Sequence, residues 1–389
     1  MIERLAIEGY RSIRSLVVDL EPLTVVTGAN GSGKSSLYRA LKLLADCGAG
    51  RAVGALAASG GLDAVRWAGP ERIGRAQRAS GVAQGTVRSG PVAVRLGFAG
   101  DLGYAVDLGL PIPASSAAFP SLFDLDPHIK QEHVFAGADP RPASVLVERR
   151  GQLARVRADG GWADLSTGLA PWQSVLDEVA GHADAPEVVG VRRALRSWRF
   201  HDAFRTDDAS PARRPAIGTR SPRLDDDGAN LAAVLRTTIE AGLDDVVDRA
   251  IDEAFPGSSL EITSEGGRMS LALRQPGMLR PLAAAELSDG TLQYLLLTAA
   301  LTSRERPGLI VLNEPERSLH RDLLAPLAAR IREAAAETQV LVVTHAQPLV
   351  DALAAAGALR VELEKQHAET RVAGREGPLD QPTWHWPKR

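Results

Sequence analysis

The sequence predicts an α/β protein in which βα units are combined with antiparallel hairpins. Two stretches carry this prediction. Near the N-terminus, the apolar run at residues 23–26 leads through a glycine-rich turn into a helix from about Ser35. In the C-terminal part, apolar strands at 309–312 and 339–344 alternate with helices near 322–336 and 347–356. Alternation of buried strands with helices is typical of the α/β class.

The other elements are predicted from residue alternation, apolar periodicity and turn residues. In chain order they are strands within 1–28, a first helix ending near Gly48, an antiparallel pair at 91–109 turning at Gly100-Asp101, loops at 110–145, a hairpin around Gly151, helix at 172–200, a helix from about Asn230, a hairpin turning at Gly266-Gly267, a helix from about Ser288 and a closing hairpin at 359–373.

Composition excludes several classes of protein. The formal net charge of −3 over 389 residues argues against a global basic field for nucleic acid, although a local patch remains open. The single cysteine, Cys47, excludes an intramolecular disulfide and a thiolate metal cluster. No apolar run reaches the roughly 18–20 residues of a membrane helix. The N-terminus lacks a signal-peptide pattern, so we expect a cytoplasmic protein without membrane insertion.

The turn at residues 28–36 carries a phosphate-binding pattern. Its sequence, GANGSGKSS, fits G-x-x-x-x-G-K-[ST], follows a predicted strand and opens a helix. Glycines let backbone N–H groups curl around phosphate oxygens, and the helix N-terminus favours the same anion. The pattern predicts that Lys34 reaches the β- and γ-phosphates and that the Ser35 hydroxyl binds magnesium. The predicted nucleotide-binding residues of the turn are Gly28, Ala29, Asn30, Gly31, Ser32, Gly33, Lys34, Ser35 and Ser36.

Two strand ends and one helix start supply further candidates. The strand at 309–312 ends in Asn313-Glu314, and the strand at 339–344 ends in His345. An Asp-Glu pair is usual at the first of these ends in ATP-hydrolysing proteins, with the Asp in the metal shell. Asn313 keeps a carbonyl oxygen for magnesium-bound water but removes one charge, so we expect weaker magnesium binding and tighter binding in Asn313→Asp. Ser288 opens a helix, and a simple N-cap is the alternative interpretation of its sequence LSDGT.

The order of these parts resembles the ABC/SMC/RecF-like branch of AAA-type P-loop ATPases. More narrowly, the chain is similar to uncharacterised bacterial predicted AAA family ATPases that carry NEPE-x-SLH. The resemblance covers about 1–45 and 280–356. It implies an ABC/SMC-head-like fold with an antiparallel β subdomain and a mixed, partly helical insertion. The implied regions are an N-terminal ATPase lobe at 1–109, an insertion or lid region at 110–229 and a C-terminal ATPase lobe at 230–389.

The same resemblance implies a mechanism. Two heads form a homodimer around two ATP molecules, with Mg2+ held at Ser35 and Asn313. Ser288 and Gly290 of one head face the γ-phosphate on the other, and residues 318–320 couple the two sites. Glu314 activates the attacking water, Lys34 binds phosphate and His345 senses the γ-phosphate. The glutamine that such ATPases carry in a separate loop has no convincing position, since Gln77, Gln84 and Gln131 all fit poorly.

The middle of the chain contains an arginine-rich run with interleaved Trp198, Phe200 and Phe204. Such a run can follow a nucleic-acid backbone, but a solvated helix face with buried aromatics is the more common structure. The leading prediction is an ATP-hydrolysing, ATP-dimerising switch that acts on DNA in repair or in defence. The alternatives are a regulatory dimerisation module for a separate effector protein and an ABC-transporter ATPase subunit. The arginines are Arg192, Arg193, Arg196, Arg199, Arg205, Arg213, Arg214, Arg220 and Arg223.

Overall fold

The computed structural model describes residues 1–69, 93–111, 122–202, 204–375 and 380–389. Its strands are β1 Ile2–Tyr10, β2 Ile13–Asp19, β3 Leu23–Gly28, β4 Val94–Gly109, β5 His128–Gly137, β6 Val145–Arg150, β7 Leu153–Ala158, β8 Gly161–Ser166, β9 Arg199–His201, β10 Ala216–Ile217, β11 Ser259–Glu265, β12 Arg268–Arg274, β13 Leu282–Ala283, β14 Leu309–Asn313, β15 Gln339–Val343, β16 Leu359–Gln366 and β17 Glu369–Val372.

The α-helices are α1 Lys34–Gly48, α2 Ala52–Ala58, α3 Gly61–Val65, α4 Val175–Glu178, α5 Pro186–Ser197, α6 Leu231–Thr238, α7 Asp244–Ala254, α8 Asp289–Thr302, α9 Leu324–Ala335 and α10 Gln347–Ala355. A π-turn at Ile239–Leu243 joins α6 to α7, and Gly242 adopts a positive φ inside it. Short 3-10 turns lie at Pro211–Arg213, Ala284–Glu286 and Arg321–Leu323.

The chain forms two compact units that alternate along the sequence. The first unit comprises Met1–Glu21, Thr27–Trp198 and Val361–Arg389, and the second comprises Pro22–Val26 and Arg199–Arg360. The three regions predicted from the sequence follow chain order, with boundaries at 109/110 and 229/230, whereas the compact units do not. The three-part division therefore stays a prediction about lobes and insertion.

The first unit contains a seven-stranded antiparallel sheet in the order β2-β1-β4-β5-β6-β7-β8. Helix α1 belongs to the same unit and buries the predicted face of Leu37, Leu41 and Leu44 completely. The hairpin around Gly151 is confirmed as β6 and β7. The closing hairpin of β16 and β17 is also confirmed, and its β17 strand binds the β1–β2 turn where Thr370 N donates to Ser12 O.

The predicted hairpin at 91–109 is wrong, because residues 94–109 form the single strand β4. Its first half pairs with β1, and its second half pairs with β5. Gly100 does not make a turn. A Cβ there would lie 2.1 Å from the Met1 carbonyl oxygen, so glycine allows the close approach of β1 at a register shift. Residues 91–92 of the predicted pair lie outside the described residues.

Two further predictions in the middle of the chain need correction. Residues 110–145 are not loop throughout, since 128–137 form β5; residues 112–121 lie outside the described residues. Residues 172–200 are not one helical stretch, because only 175–178 and 186–197 are helical. Residues 199–201 instead form β9, which pairs in parallel with β14. Pairing with a distant strand overrides local preference there.

The second unit contains the predicted βα units. Residues 23–26 of β3 pair in parallel with β15, which pairs with β14, which pairs with β9. An antiparallel set of β10, β12 and β11, with β13 beside β12, belongs to the same unit and confirms the hairpin at Gly266-Gly267. Helix α8 is buried along almost its whole length, including Leu292, Leu295, Leu296 and Ala299. Because parallel strands end at one edge, Asn313 and Val343 are neighbours there.

No helix in the described ranges is long and apolar enough to cross a membrane.

Candidate functional site

The predicted phosphate turn lies in the first unit and is closed by its own lysine. Helix α1 begins directly after Gly33, which adopts φ 113°. The Lys34 ammonium donates to the carbonyl oxygens of Gly28 at 2.6 Å and Ala29 at 3.1 Å. The side chain is therefore folded back into the loop instead of pointing into solvent. This places a fixed positive charge at the N-terminus of a 15-residue helix, where anions are already favoured.

Two glycines of the turn leave no room for a side chain. A Cβ at Gly28 would lie 2.1 Å from Leu363 O, and one at Gly33 would lie 2.1 Å from Thr370 Oγ1. Both neighbours belong to the closing hairpin of the same unit. Gly31 also has positive φ, at 79°, but open space around it. The glycine pattern thus reflects a positive φ at all three positions and, at Gly28 and Gly33, the close approach of neighbouring atoms as well.

The serines of the turn differ in what they contact. Ser32 is buried, and its hydroxyl has no hydrogen-bond partner within the described part of the chain. Ser35 is exposed at the start of α1, as a metal-binding hydroxyl requires. Ser36 shares a 3.0 Å hydrogen bond with Ser12 Oγ, and Thr370 Oγ1 donates to Ser12 Oγ at 2.8 Å. Ser36 therefore ties the turn to its own unit, while Ala29 and Asn30 are exposed.

The strand ends of the second unit gather the other predicted catalytic residues. Glu314 follows β14 with φ 49°, a left-handed conformation that costs a glutamate roughly 1–2 kcal/mol. Its backbone N–H donates to Val343 O at 2.7 Å and holds that conformation. The His345 ring lies close by, with Nδ1 3.6 Å from Glu314 Oε1. Glu314 and His345, predicted from separate strand ends, are brought together.

Glu316 is a functional candidate that the sequence interpretation missed. Its side chain is buried, and Oε1 accepts hydrogen bonds from Thr344 Oγ1 at 2.6 Å and from His345 N at 3.1 Å. The His345 ring nitrogen Nδ1 lies 3.3 Å from the same oxygen. Oε2 is buried without a partner among the described residues. The available signal in the sequence was the second acid of Asn-Glu-Pro-Glu, two residues after Glu314. In the structure this acid lies beside the end of β15.

Asn313 contacts a carboxylate from the neighbouring strand. Its Nδ2 donates to Asp202 Oδ1 at 2.7 Å. Asp202 directly follows β9, whose His201 is the register partner of Leu312. Burial lowers the pKa of His201 to about 4, so this histidine is neutral at pH 7. The sequence interpretation did not single out Asp202, because 111 positions separate it from Asn313.

The sequence LSDGT at residues 287–291, which resembles the signature sequence of ABC-type ATPases and is called the signature segment below, lies at the start of α8. Ser288 is the N-cap of α8, and its hydroxyl accepts a hydrogen bond from Thr291 N at 3.1 Å. The contact that the structure shows is therefore the one expected from the N-cap alternative. Gly290 packs against the turn that follows Glu316: a Cβ there would lie 2.7 Å from Ser318 O. Ser318 itself adopts φ 66°. The signature segment and the 318–320 segment are therefore neighbours within the second unit.

Arg213 supports the start of α8 through hydrogen bonds. Its guanidinium is buried and donates to Leu287 O at 2.7 Å and to Asp289 Oδ1 at 2.8 Å, on either side of Ser288. Further bonds reach Thr206 O and the carbonyl of Ala284. One member of the predicted basic run is thus an internal support and not a surface charge.

Other members of the arginine run are paired with acids. Arg192 contacts Asp177, Arg205 contacts Asp207, Arg220 contacts Glu240 and Arg223 lies near Glu305. The interleaved aromatics Trp198 and Phe204 are buried, and Trp198 packs edge-on against Phe98 at 5.3 Å. These aromatics belong to the core, as in the simpler of the two interpretations. DNA contact by the remaining arginines stays a prediction.

The missing loop glutamine is still unassigned. Gln77 and Gln84 lie outside the described residues. Gln131 is buried in β5, and its amide donates to Lys388 O at 2.9 Å, so it is occupied by a structural contact.

The donor chemistry fits a magnesium–nucleotide pair. Magnesium in such sites is held by one or two protein oxygens together with phosphates and water. In the first unit Ser35 offers an exposed hydroxyl, and in the second unit Asn313 with Asp202 offers an amide and a carboxylate. Across the ranges described above, no three His, Cys, Asp or Glu side chains are grouped as a self-contained metal site. The residues therefore suit a metal that arrives with phosphate better than an all-protein metal centre.

Comparison with known proteins identifies the family. A family model described as "AAA domain, putative AbiEii toxin, Type IV TA system" matches residues 23–351. The chain belongs to this AAA family. No curated protein matches it at a significant level. The matched range of this AAA protein includes the phosphate turn, the signature segment, Asn313-Glu314 and His345.

Solved structures show which fold the AAA protein shares. An SMC head bound to the C-terminal winged-helix domain of ScpA shares 13% identity, with a TM-score of 0.50 over 96% of this chain and 97% of that chain. The SMC head domain from Thermotoga maritima shares 14% identity, with a TM-score of 0.47 over 96% and 98%. The first match shows a shared fold. The predicted SMC-head-like fold and the predicted AAA family are confirmed.

Proposed function

We propose that this AAA protein binds and hydrolyses ATP with magnesium and dimerises around the bound nucleotide. The carrying observation is the phosphate turn: Lys34 is held inside a loop that two glycines keep tight, and a buried Ser32 hydroxyl lies within it without a described partner. A loop built this way at a helix N-terminus suits the β- and γ-phosphates of a nucleotide.

The proposed roles follow from the chemistry of each side chain. Lys34 and the backbone of residues 28–36 bind phosphate, and the Ser35 hydroxyl faces the metal. Bound magnesium neutralises charge that develops on the phosphate oxygens during transfer. The Glu314 carboxylate orients a water molecule and takes its proton. His345 approaches the γ-phosphate, and Glu316 holds its backbone and ring. Ser288 and Gly290 act on the nucleotide of a second copy.

The strained backbone of Glu314 supports the catalytic part of this proposal. A left-handed glutamate at a strand end is uncommon, and such outliers concentrate at active sites. A merely solvated strand-end acid gains nothing from that conformation. The carboxylate is partly exposed, at 40%, and can reach a water molecule.

The proposed target of the switch is DNA, and the alternative target is a separate effector protein. The family description names a toxin of a TA system, and a toxin needs a molecular target in the cell. This supports a macromolecular target over a transporter subunit. The separate-effector alternative has the same ATP chemistry, and an ATPase assay with and without DNA distinguishes the two: stimulation by DNA favours direct action.

The Glu314→Gln variant tests the proposal. The amide cannot accept the water proton, so we expect hydrolysis to fall by about 10²- to 10⁴-fold while ATP still binds. The ATP-bound dimer should then accumulate, which light scattering measures as a doubled mass at saturating ATP. Adding Lys34→Ala to the same protein should abolish the dimer, because the nucleotide no longer binds.

Two controls make the test decisive. Glu265→Gln changes an exposed acid of the β11–β12 hairpin and should hydrolyse ATP at the parental rate. Lys42→Ala changes an exposed lysine of α1 and should bind ATP normally. If Glu314→Gln turns over at the parental rate, Glu314 is not the general base. If it binds ATP but stays monomeric, the dimer model is wrong.

A further inference from the structure

The ends of β14 and β9 lie side by side at one edge of the sheet in the second unit. The two strands are parallel, and Leu312 is the register partner of His201. The next residues, Asn313 at the end of β14 and Asp202 directly after β9, therefore lie at the same level. In α/β sheets, ligands bind at the carboxyl ends of the strands. This position is where an aspartate is usual in related ATPases and where this chain has an amide.

The contact between the two side chains explains the amide. Asn313 Nδ2 donates to Asp202 Oδ1 at 2.7 Å, a charge-assisted hydrogen bond. The bond sets the direction of the amide, because its N–H2 end faces Asp202 and its Oδ1 end faces the other way. An ionised aspartate at 313 has no proton to donate, so it would oppose Asp202 as a second negative charge. An amide at 313 and a carboxylate at 202 are thus chemically matched.

The pair carries the same formal charge as one aspartate. It presents one carboxylate and one amide oxygen, and both are hard oxygen donors of the kind that magnesium and its bound water prefer. Asp202 is exposed and Asn313 is half-buried, so the group is accessible to solvent. A second role is also chemically reasonable, in which the hydrogen bond only ties two strand ends together. That role would affect folding stability and leave metal binding unchanged.

We propose that Asp202 supplies the negative charge that position 313 lacks, beside the magnesium ion that accompanies the nucleotide, and that Asn313 positions it. This inference rests on the proposed ATP-binding function and names a residue for it outside the recognised motifs. It also reverses the prediction from the sequence alone, which was tighter magnesium binding in Asn313→Asp. With Asp202 adjacent, Asn313→Asp should weaken magnesium binding because two carboxylates then face each other without a donor.

The test measures how nucleotide affinity depends on magnesium concentration. A fluorescent, non-hydrolysable ATP analogue is titrated into the full chain, first with EDTA and then over a magnesium series. For Asp202→Asn we expect the magnesium concentration for half-maximal effect to rise roughly 10- to 100-fold, the usual cost of losing a residue that supports a metal ligand. Affinity in EDTA should stay at the parental value. Asp208→Asn, an exposed acid of the same segment, is the matched control.

The exchange variant, Asp202→Asn with Asn313→Asp, separates charge from structure. It keeps one amide and one carboxylate, with the hydrogen bond reversed in direction. We expect it to restore the half-maximal magnesium concentration to within about threefold of the parent, since paired residues in contact are strongly non-additive. Thermal unfolding of each variant is measured in the absence of nucleotide.

The outcomes separate this inference from the function on which it rests. Unchanged magnesium dependence in Asp202→Asn, in a protein that binds the analogue, overturns the inference and leaves the proposed function intact. An exchange variant that unfolds at the parental temperature yet remains as defective as Asp202→Asn also overturns it. A parental protein that binds no analogue in either condition overturns the proposed function and the inference together.

Discussion

At the scale of single residues, Glu314 shows how a strand end can aim a carboxylate. Its φ of 49° turns the chain sharply after Asn313, and the bond from its N–H to Val343 O keeps it turned. Strain of this kind persists only where neighbouring contacts impose it. The carboxylate is thereby fixed near the His345 ring, which Glu316 holds from the other side. Three side chains from two strand ends form one group of close contacts.

His201 makes folding stability depend on pH. Burial lowers its pKa to about 4, whereas an unfolded histidine titrates near 6.5. The unfolded chain therefore binds the proton more readily, and this contribution to stability is complete above pH 6.5 and falls as pH drops toward 4. Between pH 7.5 and 4.5, His201 should account for a loss of about 2–3 kcal/mol in the free energy of unfolding.

Urea unfolding of the parent and of His201→Gln over that pH range measures the effect. Glutamine does not titrate, so the variant should lose about 2–3 kcal/mol less than the parent between the two pH values. His182→Gln, at an exposed position, should follow the parental curve. Parallel curves for the parent and His201→Gln would show that His201 titrates normally in the folded protein.

Residue contacts also show why the sequence predicts only part of the site. The residues at 28–36, Glu314 and His345 stand in local patterns whose spacing reflects their chemistry. Asp202 and Arg213 stand in no such local pattern, because each contacts a segment far along the chain. Asp202 contacts Asn313, and Arg213 contacts residues 284–289. Nothing within a few positions of either residue distinguishes it from a surface charge.

At the scale of elements, the start of α8 depends on a support from outside the helix. Arg213 donates to carbonyl oxygens before Ser288 and to Asp289 after it. We expect Arg213→Met to leave these groups without their donor and to lower the free energy of unfolding by about 1–3 kcal/mol. The signature segment should become mobile, and amide hydrogen exchange in the 284–292 peptide should accelerate.

The neighbouring Arg214→Met is the matched control, because Arg214 is exposed and its loss should leave exchange in that peptide unchanged. Nucleotide binding by the monomer should be normal in both variants, since the phosphate turn is untouched. If exchange at 284–292 is the same in Arg213→Met as in the parent, the arginine does not position the signature segment.

Elements differ in how well the sequence predicts them. Helices α6 and α8 start where Asn230 and Ser288 indicate. The apolar face of each helix and the Ser288 cap of α8 are local features, which is why the sequence predicts them. Strand β4 was predicted as a hairpin, because Gly100-Asp101 has the composition of a turn. Its glycine instead admits β1, a contact that the local sequence does not contain. Strand β9 lies in a stretch predicted as helix, because its pairing with β14 is likewise a distant contact that the local sequence does not contain.

At the scale of the whole molecule, the proposed dimer predicts complementation between damaged copies. Ser288→Arg should bind ATP as a monomer but fail to hydrolyse it, because the added side chain blocks the signature of one copy from the nucleotide of the other. Loss of the N-cap costs about 1 kcal/mol in addition. Mixed equally with Lys34→Ala protein, it should regain up to about a quarter of parental ATPase, since each mixed dimer of two equivalent faces holds one undamaged site.

Ser264→Arg, at an exposed strand position, serves as the control and should keep parental activity alone. Fluorescence exchange of labelled subunits shows whether the two variants form mixed dimers. Mixed dimers without any recovered ATPase would mean that each copy uses its own signature segment, and the shared-site model would be wrong.

The alternation of the two units along the chain has a consequence for synthesis on the ribosome. Residues 23–26 emerge among the first, but their partner strand β15 follows more than 300 residues later. At 5–20 residues per second, the first strand waits roughly 15–60 s for its partner. During that time its apolar run has open hydrogen-bonding edges, the feature that templates aggregation. Translation that stops early therefore releases a chain whose first nucleotide-site strand has no parallel partner.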